Sequence, residues 1–177
     1  MSDYAIVPYT EVDGIKNYSD SFIKSLYARM VKDGTANSVF AGVGITNEDD
    51  FLAMTKTEGL HFHVLYCGGN VSGIFWLNRL QYRWAQIHFC FFKEAWGKET
   101  VPLGNYALRQ LLEMGSAERH IFDMLVGIIP SRNRVGLAFV QKCGGIVTGT
   151  LPRGVYNPET KDSEEATIIS LTRESVR

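Results

Sequence analysis

The stretch Ile128-Ile129-Pro130-Ser131-Arg132-Asn133-Arg134-Val135-Gly136-Leu137-Ala138-Phe139-Val140-Gln141-Lys142-Cys143-Gly144-Gly145 decides the fold. Its apolar start reads as the end of a buried strand and Asn133 as a helix cap. Leu137 to Val140 then give an apolar helix face, and the glycine pair is a stop. Upstream, residues 121–129 supply the rest of that strand. Downstream, residues 146–151 and 166–172 read as two closing strands, and the polar residues 153–165 between them as a long exposed connection.

The remaining elements follow from periodicity. Ala5-Ile6-Val7-Pro8 is a short first strand, and Phe22, Ile23, Leu26, Tyr27, Met30 and Val31 recur at helical spacing until Asp33-Gly34. Thr46-Asn47 offers a second cap, with Glu48, Asp49 and Asp50 in the first turn, where carboxylates favour the helix dipole. Residues 61–66, 71–80 and 84–92 are rich in β-branched and aromatic side chains and are broken by Gly68-Gly69-Asn70 and Gln81-Tyr82-Arg83, the signature of an antiparallel meander. Leu103, Ala107, Leu108, Leu111 and Leu112 mark a third helix, ending by Gly115.

A chain of 177 residues, 45% of them apolar, is expected to form one domain over residues 1–177 and to bury a full core. A net charge of −1 without a basic run argues against nucleic acid as a partner. Cys67, Cys90 and Cys143 are odd in number and lack C-x-x-C spacing, which points to a reducing compartment rather than a disulfide framework or zinc site. With no leader-like start and no apolar run of spanning length, the expectation is a cytoplasmic protein with no membrane partner.

Strand, Asn133, small Gly136, apolar helix face and Lys142-Cys143-Gly144 together resemble the C-terminal signature of the GNAT N-acetyltransferase superfamily. The element order β-α-α-β-β-β-α-β-α-β-β is similar to that family's, and Trp96-Gly97-Lys98 is similar to its Trp-Gly-Lys-Gly helix opening. The resemblance implies an α/β (α+β) fold with a mixed, mostly antiparallel central sheet flanked by helices. It implies transfer of an acetyl group from acetyl-CoA to an amine of a small molecule or protein, by direct attack in a ternary complex. Asn133 would flank the pantetheine arm, and Trp96, Gly97, Lys98, Glu99 and Thr100 would hold the pyrophosphate on backbone N–H groups at a helix start. Phe89 and Phe91, on the preceding strand, would present backbone N–H groups to the acyl carbonyl. A homodimer formed near the last two strands is also implied.

Three positions depart from the family pattern. Glu99 stands where Gly or Ala lets phosphate approach, Gln86 stands in the place of an acid, and Val140 replaces a tyrosine that many members carry. Pro102 removes a further N–H donor from the first helical turn. These departures define the rival reading, a catalytically inactive binding or assembly protein on the same fold, as in bacteria and their phages, with a degenerate cofactor site. For the transferase, His88 shares a strand face with Gln86 and is the candidate general base, since an unperturbed imidazole titrates near working pH. Its bland alternative is a packed strand histidine. Cys143 reads as packed rather than nucleophilic. His61 and His63 alternate on one strand face without a third ligand, so no metal is expected. Arg79 and Arg83 near a hairpin tip read as solvated.

Overall fold

The computed structural model describes residues 3–40, 43–116 and 119–176. It begins with β1 (Tyr4–Pro8), followed by a two-residue hairpin of β2 (Glu11–Val12) and β3 (Ile15–Lys16). Asp13 and Gly14, at φ 50° and 78°, turn that hairpin, as an Asp-Gly pair does where both central residues need positive φ. Ser19 caps α1 (Asp20–Lys32) by accepting from the Phe22 amide, and Ile23, Leu26, Tyr27 and Met30 form its buried stripe. A single turn, α2 (Ala36–Val39), precedes α3 (Glu48–Thr55). Asn47 caps α3 by accepting from the amides of Asp49 and Asp50.

The meander is β4 (His61–Cys67), β5 (Asn70–Asn78) and β6 (Trp84–Phe91), after which a 3-10 turn at Lys93–Ala95 leads into α4 (Thr100–Leu112). β7 (Met124–Pro130), α5 (Arg134–Lys142), β8 (Ile146–Asn157) and β9 (Asp162–Thr172) complete the chain. The seven-stranded sheet has the order β1-β4-β5-β6-β7-β9-β8. Its β6–β7 pair is parallel and its other pairs are antiparallel. The parallel pair follows from the α4 crossover, because strands joined through a helix return in the same direction.

Each face of the sheet carries its own apolar layer. Phe75, Leu77, Ile87, Leu103, Leu108, Leu111 and Leu171 belong to the layer under α4 and α5. Ile23, Met30, Phe51, Phe62, Ile74 and Trp76 belong to the layer under α1, α2 and α3. Alternate residues of β5 and β6 thus serve opposite sides, which sends Gln86, His88 and Cys90 to the α1–α3 side and Ile87, Phe89 and Phe91 to the α4–α5 side.

The mixed, mostly antiparallel sheet with flanking helices is as expected from the sequence, but two boundaries differ. Residues 153–165 are largely exposed, as expected, but they are not an irregular connection: most of them extend β8 and β9 into a long hairpin, with Val155 opposite Glu164 and Asn157 opposite Asp162. Polar side chains on both faces hide the strand from any alternation test, and the pairing is held by Arg153–Asp162 at 2.6 Å and Asn157–Glu164 at 3.1 Å. β7 begins at Met124 rather than near residue 121, because Asp123 leaves the ladder to bind Arg83 and, at 2.8 Å, Arg173. Arg83 is therefore tethered rather than merely solvated. No helix among the described residues is long and apolar enough to cross a membrane.

Candidate active site

The parallel pairing of β6 and β7 runs only from Trp84↔Met124 to Gln86↔Val126, and beyond that register the strands part. The amide of Phe92 donates to Ser72 across β5, which makes the even-numbered residues of β6 the hydrogen-bonded partners of that strand. The backbone N–H groups of Phe89 and Phe91 consequently face the gap. A cleft of about 150 Å³ lies there, lined by Ile87, His88, Phe89, Ile129, Asn133 and Phe139 among others. A second cavity of about 310 Å³ continues it on the α1–α3 side, and Ser38, Val39, His88, Ile128 and Pro130 line both.

Asn133 sits at the mouth of the cleft because it caps α5: its side chain accepts from the Gly136 amide at 2.9 Å. Gly136 is small for that reason, since a Cβ there would lie 2.8 Å from the Asn133 side-chain nitrogen. On the opposite wall His88 stacks on Trp76 at 4.9 Å and 5°, with Nε2 donating to the Asn78 side-chain oxygen at 3.2 Å. Burial, and then the Arg79 charge, push its imidazole down to about 4. The ring is therefore neutral at working pH, with the proton on Nε2 and a lone pair on Nδ1. That differs from the ordinary imidazole assumed from sequence, because buried walls disfavour the charged form.

The turn at residues 93–100 lies at the end of β6 rather than on the cleft wall. Arg29 ties it to α1, pairing with Glu94 at 3.0 Å and lying 4.0 Å over the Phe92 ring. Trp96 donates its indole N–H to the Phe91 carbonyl at 2.9 Å, and Gly97 reverses the chain at φ 90°. Glu99 occupies the cap position of α4, and Thr100 turns its hydroxyl back to the Ala95 carbonyl at 2.8 Å. Lys98 is exposed. The Glu99 carboxylate accepts from the Tyr4 hydroxyl at 2.7 Å and lies 3.9 Å from the Cys67 sulfur, so it is drawn toward β1 and β4.

The other candidates resolve on packing. Cys143 is fully buried and its thiol is pushed up to about 12, the opposite of what a thiolate nucleophile needs. His63 stacks on Phe75 at 4.4 Å with burial pushing it down to about 4. Among the described residues no three His, Cys, Asp or Glu side chains come together as a metal site. Val140 is buried in the cleft wall, leaving no acid at that position. The structure thus gathers His88, Phe89 and Asn133 around one cleft, with Phe91 and the 96–100 turn one strand-end away. Sequence reasoning missed Ser38 and Val39, because a four-residue helix has no period to read, and missed Trp76 and Asn78 as the support of His88. Their signal was the cross-strand registers Trp76↔His88 and Asn78↔Gln86, which only pairing reveals.

No protein-family model matches the sequence and no curated protein matches it. Solved structures do. A spermidine N-acetyltransferase from Vibrio cholerae, solved with CoA and spermine, is 14% identical, with a TM-score of 0.68 over 96% of each chain. An acetyltransferase from Salmonella typhimurium that modifies the N-terminal serine of ribosomal protein L7/L12 is 12% identical, with a TM-score of 0.70 over 87% of this chain and 91% of that one. The microcin C7 self-immunity acetyltransferase, solved with acetyl-CoA and AMP, is 14% identical, with a TM-score of 0.68 over 87% and 88% of the two chains. At such identities the likeness is one of architecture, and the chain is built on the GNAT acetyltransferase fold.

Proposed function

We propose that this protein is an acyl-CoA-dependent N-acetyltransferase that moves an acetyl group from acetyl-CoA to an amine. The observation that carries the reading is the parting of β6 and β7 beyond Gln86, which leaves backbone N–H groups facing a cleft capped by Asn133. Acetyl-CoA supplies the electrophilic thioester carbonyl. Phe89 and Phe91 N–H groups facing the gap would donate to the carbonyl oxygen as it gains charge, a role that fixed backbone dipoles fill without reorganising. Asn133 and Gly136 border the cleft for the pantetheine arm, and the Trp96–Thr100 turn with the start of α4 would take the pyrophosphate. Glu99 does not oppose this, because its carboxylate is drawn to Tyr4 and Cys67.

In the transfer the amine nitrogen forms a bond to the carbonyl carbon, the carbon–sulfur bond breaks, and the sulfur leaves with the electron pair. A base held near 4 does not strip a free ammonium ion, so the amine must enter neutral. His88 then takes the surplus proton once the nitrogen has bonded to carbon. With Val140 in the wall, His88 is also the titratable group of the cleft lining that can return a proton to the thiolate.

Calorimetric titration with acetyl-CoA tests the reading, with Asn133→Ala and Glu99→Gly alongside. Micromolar binding that Asn133→Ala weakens and Glu99→Gly leaves within about threefold (under about 0.7 kcal/mol) is expected. No binding at millimolar acetyl-CoA would sink it.

A further inference from the structure

The cavity beyond His88 has a one-sided chemistry. Its walls are apolar where Phe40, Met54, Leu60 and Trp76 contribute, and polar where Asn78, Gln86 and His88 do. Among the described residues that line it there is no carboxylate, and the charged side chain is Arg79. An amine acceptor carrying several positive charges would find nothing to pair with there and would meet a guanidinium.

Arg29, Arg83, Arg132, Arg153 and Arg173 are each matched to a carboxylate, whereas Arg79, like Arg109, Arg119 and Arg134, has no ion-pair partner among the described residues; of these four it is Arg79 that lines this cavity. Its backbone stands at φ 48°, in the left-handed region where a non-glycine residue is uncommon. It follows Asn78, whose side chain holds His88, and its charge reaches the imidazole strongly enough to push it down. A cation next to the base would be a liability to a positively charged acceptor. To an acceptor with a negative group it is a counter-charge in the same cavity lining as His88.

Resting on the transferase reading above, we infer that the acceptor is an apolar amine that also bears a carboxylate, and that Arg79 selects it. The carboxylate pairs with Arg79, the apolar body lies against Trp76 and Phe40, and the carboxylate-free lining favours the neutral form of the amine. Polyamines are excluded by the same charge.

The full-length protein with acetyl-CoA is assayed for coenzyme A release against two matched pairs, phenylalanine with phenethylamine and 6-aminohexanoate with pentylamine, and against spermidine. At least one carboxylate-bearing member should exceed its partner by about tenfold in kcat/KM, equivalent to about 1.4 kcal/mol. Arg79→Gln should erase that preference and Arg79→Lys retain part of it. The inference is overturned by a wild-type preference for spermidine or the carboxylate-free amines, by a preference that Arg79→Gln leaves intact, or by bound acetyl-CoA with no carboxylate-bearing amine turned over. Failure to bind acetyl-CoA is a separate outcome that overturns the transferase reading itself and this inference with it.

Discussion

Replacing Gly136 with alanine separates the two duties of Asn133. The new Cβ would lie 2.8 Å from the Asn133 side-chain nitrogen and 3.1 Å from its Cγ, so the Asn133 side chain must rotate away and give up the 2.9 Å bond from the Gly136 amide. Losing an N-cap costs about 1 kcal/mol. Alanine in place of a helical glycine returns roughly 0.8 to 1 kcal/mol, so the two effects nearly cancel. Asn133→Ala loses the cap with no such compensation. For a domain of this size about 1 kcal/mol corresponds to about 2–4 °C in Tm. Asn133→Ala should therefore melt about 2–4 °C lower, whereas Gly136→Ala should stay within about 2 °C of the parent. Both move the same amide out of the cleft mouth, and a lost polar contact of about 1.4 kcal/mol corresponds to about tenfold weaker acetyl-CoA binding. Differential scanning calorimetry and acetyl-CoA titration on the same samples give both quantities. Wild-type affinity in Gly136→Ala, or a Tm drop in it beyond about 6 °C, would refute this account of how the helix start serves the cleft.

Acid stability should report the two buried imidazoles. His63 and His88 are each pushed down to about 4, while an unfolded chain protonates them near 6.5, so their contribution is complete above about pH 6.5 and is lost as pH falls toward 4. Urea midpoints should decline across that window, with each histidine adding up to about 1.4 kcal/mol per pH unit, and His63→Phe should flatten the decline; an unchanged slope in that variant would count against the assignment. Gly104→Ala puts a Cβ 2.6 Å from the Phe139 ring, an overpacking worth about 1–3 kcal/mol, and chemical denaturation of Gly104→Ala and of Gly104→Ala with Phe139→Leu should show the second change recovering stability. Gly144→Ala is expected to abolish soluble protein, because φ is 94° and the Ser175 carbonyl oxygen would lie 1.8 Å from the new carbon; a normal melting curve would contradict the packing of the C-terminal segment on α5.

The sequence by itself determined the parts of this protein that rest on local physics. Asn133 with Gly136 announces a capped helix, Asn47 with three acidic residues another, and the apolar periods of α1 and α4 mark their buried stripes. The Asp13-Gly14 turn is equally local in its chemistry. What lies outside any window of adjacent residues was decided by the tertiary structure. Where the Glu99 carboxylate turns depends on Tyr4 and Cys67, which lie far away in the chain. His88 looked like an ordinary base because Trp76, Asn78 and Arg79 reach it from the neighbouring strand and its end. The β8–β9 hairpin looked like a loop because two solvated faces erase alternation. Propensity and capping act over a few residues, whereas charge, desolvation and strand pairing act through space, and a linear chain does not record which of its distant parts will meet.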